Sequence, residues 1–235
     1  MESTSVATLT NQLLAGLSAD DLALLMPHLA LVELTRYQVL IEPDEKIEHC
    51  WFIEAGIASI VAGTLRGDQT EVGLVGRDGM VDVAVLHTLD QSVLRVFVQA
   101  PGQAYRIAVP ALQDAMQRSD TLRGALLRYS HTLLVQVAGT TLANASCTLE
   151  ERLARWLLMY HDRSPGDELL MTHEILSLML NVRRAGVSLT LQALQTKGIL
   201  TSRRGLITVA DRGALERVAG DVYGAAERLS SPRSG

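Results

Sequence analysis

The spacing of hydrophobic positions divides the chain into a short helical opening, a long β-rich stretch and a helical remainder. Ser18-Ala19-Asp20-Asp21 puts a capping hydroxyl three residues ahead of an acid, and apolar Leu22, Leu24, Leu25 and Met26 follow, so a helix starts near Ala19 and is weakened by Pro27. From Leu31 to about Ile107 the apolar residues fall in short runs: Leu31 to Leu34, Val39 to Ile41, His49 to Glu54, Ile57 to Gly63, Thr70 to Val75, Val93 to Gln99 and Gln103 to Ile107. Turn signals separate them at Pro43-Asp44, Ala55-Gly56, Arg66-Gly67-Asp68, Arg77-Asp78-Gly79 and Pro101-Gly102. This spacing predicts a compact antiparallel roll, which either encloses a small molecule or packs its own side chains inside.

After Pro110 the period becomes helical. Leu122, Leu126, Tyr129, Leu133, Gln136 and Thr140 alternate steps of four and three, a seam running through a helix from about Asp120 to Asn144. Two readings are open: a helix laid on its own domain, or a parallel coiled-coil dimer. The length of the segment favours the dimer, with Gln136 and Thr140 fixing register at some cost in stability. Asn144 to Thr148 reads as a hinge. A further helix over Glu150 to His161 presents Leu153, Trp156, Leu157 and Tyr160 on one face.

Two short helices and a hairpin close the chain. The first spans His173 to Leu180 with Thr172 as its cap; Asn181 suits a left-handed turn; the second runs from about Arg184 to Lys197 and stops at Gly198. Val187, Leu191 and Leu194 form the buried stripe of the second helix. A hairpin tipped by Arg203-Arg204-Gly205 joins Ile199-Leu200 to Leu206 to Val209, so the whole reads as a winged helix-turn-helix.

Charge sharpens this picture. The formal net charge is -5, yet Ile175 to Ala210 holds no Asp or Glu and carries Arg183, Arg184, Lys197, Arg203 and Arg204. Residues 1–147 hold 9 Lys and Arg against 16 acids, and residues 148–235 hold 12 against 10, so attraction for a polyanion must come from one concentrated patch. Double-stranded DNA is the expected partner. Arg184 is the expected base reader, with Ser188 and Gln192 as helpers; Arg183 clamps a phosphate, and Lys197, Arg203 and Arg204 contact the backbone.

Other chemistry is thin. Cys50 and Cys147 are far apart and read as reduced thiols, and the scattered His residues show no metal-ligand spacing, so no metal or cofactor is expected. There is no Walker-type loop, GxSxG elbow or HExxH motif, which argues against an enzyme. The chain carries no apolar run long enough to span a membrane, and Met1 to Leu13 does not resemble a signal peptide, so the expected location is the cytoplasm. A small-molecule sensor or an interaction scaffold without DNA binding is the competing class.

The ordered parts resemble the Crp/Fnr family of bacterial transcription regulators. The resemblance rests on Trp51-Phe52-Ile53-Glu54-Ala55-Gly56 in the roll, the long helix, Glu151-Arg152-Leu153-Ala154-Arg155-Trp156-Leu157-Leu158, then Met171-Thr172-His173-Glu174-Ile175 and Val182-Arg183-Arg184-Ala185-Gly186-Val187. It implies an α+β chain with a sensor roll over residues 1–119, a dimerisation helix and hinge over 120–147, and a DNA-binding domain over 148–235. It also implies a homodimer on a near-palindromic operator, RNA polymerase as a partner, Thr172 among the DNA-contacting residues, and an unidentified effector in the roll. Cyclic-AMP-binding members grip the ribose with a Gly-Glu pair and the phosphate with an Arg and a small hydroxyl residue. Aligned on Arg77-Asp78-Gly79-Met80, this chain offers Val81-Asp82 and Ser92-Val93, with Arg95 nearby, so Asp82, Ser92 and Arg95 mark the candidate effector pocket and the phosphate grip is missing. In the recognition helix the family's acidic reader falls at Ala185 and its later Arg at Leu189, so the preferred DNA sequence differs from the best-known family sites.

Overall fold

A computed structural model describes residues 9–225, apart from 65 and 68. Two short helices, α1 (Gln12–Ala15) and α2 (Ala19–Leu25), open the chain. Ser18 caps α2 by accepting from the Asp21 N–H at 3.1 Å, and Pro27 stands where α2 tightens into a single 3₁₀ turn. The roll that follows is a six-stranded antiparallel sheet built on β1 (Ala30–Leu34), β2 (Val39–Ile41), β3 (His49–Gly63), β4 (Gln69–Val75), β5 (Met80–Val81) and β6 (Arg95–Ala108). Of the expected turns, Arg66-Gly67-Asp68 lies partly outside the described residues, at Asp68.

Two predicted turns are not turns. Strand β3 passes straight through Ala55-Gly56, and β6 through Pro101-Gly102, because each irregularity sits opposite the other in one bent ladder. Gly56 has φ of +92°, and a Cβ there would stand 2.5 Å from the Ala100 carbonyl oxygen. A Cβ at Gly102 would stand 2.0 Å from the Ala55 carbonyl oxygen. Glycine lets the two backbones approach closely at these register shifts, which local sequence cannot distinguish from a reversal.

Helices α3 (Val109–Arg118) and α4 (Asp120–Ser146) pack on the roll. Helix α4 continues through the predicted hinge, leaving only Cys147 and Thr148 before α5 (Leu149–Arg163), whose Thr148–Glu151 capping box sets a sharp start. The remainder is β7 (Glu168–Leu169), α6 (His173–Met179), α7 (Arg184–Thr196), the hairpin β8 (Leu200–Arg203) and β9 (Leu206–Val209), and α8 (Arg212–Ala219). Strands β7, β9 and β8 form a three-stranded sheet.

The seam on α4 corrects the dimer expectation. Leu122 and Leu126 are fully buried and Leu133 nearly so, all three in the core of their own roll. The Tyr129 hydroxyl donates to the Met80 carbonyl at 2.9 Å, and its ring lies where a Cβ on Gly79 would be, 2.1 Å away. Gln136 binds the backbone of Leu74, and Thr140 accepts from Arg155 at 3.0 Å. A periodic seam reports a buried face without saying what buries it, and here the chain's own sheet does. The outward face of α4 instead shows Leu127, Leu134 and Leu142, at 36%, 62% and 56% exposure.

The two halves share a wall. Ile57 and Leu74 from the roll join the core of the C-terminal half, beside Trp156 and Leu176. Into this contact the fully buried Glu71 carboxylate accepts the Trp156 indole N–H. Arg163 donates to Asp78 at 2.6 Å, and Ser59 lies 3.7 Å from the Met179 sulfur. Burial pushes the Glu71 carboxyl up to about 8, against the smaller opposing effects of Ser59, Trp156 and the two nearby guanidiniums.

Candidate nucleic-acid interface

Helices α6 and α7 make the helix-turn-helix. Thr172 is exposed and caps α6, accepting from the Ile175 N–H at 3.2 Å. Asn181 takes the left-handed turn at φ +50°, and Gly198 ends α7 at φ +73°. Val187, Leu191 and Leu194 bury the inner face of α7, while Arg152 on α5 donates to the Leu180 carbonyl at the end of α6. A Cβ on Gly186 would lie 3.2 Å from the Leu149 side chain, so α7 crosses α5 closely.

Around this frame the sequence-predicted residues take different places. Arg183 is the N-cap of α7 without a side-chain cap bond, and Arg184 opens the helix; both are exposed. Arg203 and Arg204 are exposed at the wing, where Gly205 turns the hairpin at φ +75°. None of these four guanidiniums has an ion-pair partner among the described residues, so each is free to meet an anion. Lys197 departs from its expected role. Its ammonium sits 2.5 Å from the Glu150 carboxylate, because the fold brings an acid of α5 beside the acid-free segment.

Ser188 is also turned aside. Its Oγ is 2.9 Å from His173 Nδ1, and His173 Nε2 is 3.3 Å from Ser202 Oγ, so Ser188 is half-buried on the flank between α6 and the wing. Gln195 accepts from the Ser202 N–H at 3.2 Å on the same flank. Opposite the buried stripe lie Ala185, Leu189, Gln192 and Ala193, all exposed, with Leu189 at 68%. The step-of-four reading through Arg184, Ser188 and Gln192 is therefore off-centre. The stripe of Val187, Leu191 and Leu194 already contained the signal, since the point diametrically opposite it on a 3.6-residue helix falls between Ala185 and Leu189.

The candidate effector residues are each engaged by other partners. Asp82 sits at φ +71° with one carboxylate oxygen accepting from the Ala84 N–H at 2.8 Å, and burial raises its pKa. Ser92 accepts from the Leu94 N–H at 3.1 Å, and Arg95 pairs with Glu42 at 3.3 Å. Val81 is fully buried in the roll, whereas Val93 is 77% exposed. An Arg already neutralised by a carboxylate is a poor phosphate grip.

A family model for the Crp-like helix-turn-helix domain matches residues 151–218, the stretch from α5 to α8. Beyond this domain the fold as a whole is similar to solved Crp/Fnr proteins. FixK2 from Bradyrhizobium japonicum superposes with a TM-score of 0.71 at 16% identity, over 82% of this chain and 98% of its own. A putative Crp/Fnr transcriptional regulator from Eubacterium rectale gives 0.66 at 17%, over 88% and 97%. The c-di-GMP-responsive global regulator CLP from Xanthomonas campestris gives 0.66 at 16%, over 82% and 99%. Comparison with curated proteins gives no sequence match. From roll to wing the described chain shares its fold with these structures, and no helix among the described residues is long and apolar enough to cross a membrane.

Proposed function

We propose that the protein is a homodimeric, sequence-specific DNA-binding transcription regulator of Crp/Fnr type, reading a near-palindromic operator with α7. The observation that carries this reading is the set of four exposed guanidiniums without an ion-pair partner among the described residues, Arg183 and Arg184 at the start of α7 and Arg203 and Arg204 on the wing, framing one helix of the stretch that matches a Crp-like helix-turn-helix domain. A guanidinium at the N-terminus of a recognition helix can pair bidentately with guanine O6 and N7, and wing guanidiniums can neutralise flanking phosphates. Arg184 is the base reader, Gln192 its helper, Arg183 a phosphate clamp, and Arg203 and Arg204 backbone contacts.

The second copy pairs along the outward face of α4. Leu127, His131, Leu134 and Ala138 repeat at steps of four, three and four on this exposed face, and Leu142 extends it. An effector, whatever its chemistry, would act by favouring one arrangement of roll and DNA-binding domain over another. RNA polymerase is the expected downstream partner of such a regulator.

The test is binding of the full chain to random duplex DNA across ionic strength, followed by selection of preferred fragments. A steep loss of affinity with salt and a two-fold site with half-sites about 34 Å apart is the expected result. Indifference to duplexes at low ionic strength, or a footprint on a single unpaired half-site, overturns the reading.

A further inference from the structure

The outward pole of α7 is apolar where a DNA-reading surface would be expected to be polar. Leu189 stands at its centre, 68% exposed, with Ala185 one turn before it and Ala193 one turn after, both exposed. The hydroxyls and amides around it are mostly committed elsewhere. Ser188 is held by His173, Gln195 by the Ser202 N–H, and Thr190 and Thr196 donate back to the carbonyls of Gly186 and Gln192 at 2.9 Å. That leaves Arg184 and Gln192 as the polar readers, with Leu189 between them along the helix axis.

Arg183 and Arg184 stand at the start of this helix and Arg203 and Arg204 on the wing, Ile175 to Ala210 contains no acid, and the Glu150 carboxylate that the fold brings beside it is paired with Lys197, so the face is electrostatically matched to a polyanion rather than to an apolar protein surface. The bases present one apolar group in the major groove of unmodified DNA, the C5-methyl of thymine. We infer that Leu189 is a specificity-determining residue that packs on a thymine methyl, so that each half-site carries a T·A pair between the positions read by Arg184 and Gln192. This inference rests on the DNA-binding reading above and adds what α7 selects.

The experiment replaces each thymine of the selected site singly by deoxyuridine, which removes only the methyl, and measures binding of the full chain and of Leu189→Ala by fluorescence anisotropy. One symmetric thymine should weaken wild-type binding about fourfold per methyl removed, the size expected for one buried methyl-sized group, and should leave Leu189→Ala unaffected. A cytosine tested at that position should regain binding when changed to 5-methylcytosine. The Leu189→Ala chain should keep its thermal midpoint and its salt slope on random DNA, since Leu189 is outside the core. Equal uridine effects on both chains, no uridine effect, or a selection without any preferred thymine overturns the inference while leaving DNA binding intact. Failure of both chains to bind any duplex removes the DNA-binding reading itself.

Discussion

The side-chain amide of Gln136 pairs with both backbone groups of Leu74, accepting from its N–H at 2.7 Å and donating to its carbonyl at 3.2 Å. A helix side chain thereby continues the ladder of an edge strand, and the Gln136 carbonyl in turn accepts from Arg155 at 3.2 Å. Roll, long helix and C-terminal half are joined at this residue.

Replacing Gln136 by Leu should therefore cost about 1–3 kcal/mol, because Leu74 would keep two buried backbone groups without partners. Urea unfolding of the purified chain measures it. A loss within error would show that the strand edge is satisfied in another way.

The two faces of α4 should respond differently. Leu134→Glu places a charge on the exposed stripe and should give monomers in analytical ultracentrifugation with little change in folding stability. Leu126→Ala empties a fully buried site and should cost about 2–5 kcal/mol while leaving subunit association in place. The opposite pattern would return the dimer contact to the seam.

Docking of the two halves should weaken as pH rises. Glu71 ordinarily titrates near 4.5 and is pushed up to about 8 by burial, so between these values the folded chain binds more protons than the unfolded one. Its contribution is fully present below about 4.5 and is lost as pH climbs through about 8, with a slope of up to about 1.4 kcal/mol per pH unit. Glu71→Gln keeps an acceptor for the indole and should flatten this slope, as followed by urea midpoints and Trp fluorescence between pH 5 and 8.

Arg184→Ala should cost about 1 to 3 kcal/mol of binding to the selected site and little on random DNA, whereas Arg203→Ala should weaken both alike and reduce the salt slope. Equal losses on specific and random DNA for Arg184→Ala would refute its role as base reader.

Gly102→Ala should prevent the roll from closing. Its new methyl would meet the Ala55 carbonyl at the bend, and both neighbours are backbone that cannot rotate away. Loss of soluble chain on expression is the expected result, and a folded variant with a wild-type thermal midpoint would contradict this close approach.

Periodicity and caps were enough to locate α2, α6, α7 and the wing, because Ser18, Thr172, Asn181 and Gly198 act on backbone groups within a few residues of themselves. The acid-free run with its arginines was equally legible, since charge is a property of composition. What tertiary structure alone decided were the matters of partner and direction. It decided that Ala55-Gly56 and Pro101-Gly102 lie at register shifts of one ladder rather than at two reversals, that the α4 seam faces its own sheet, that Lys197 meets Glu150, and that Ser188 turns toward His173. Each depends on a neighbour distant in sequence, and a local pattern can state that a face is buried or a charge present without naming what lies against it.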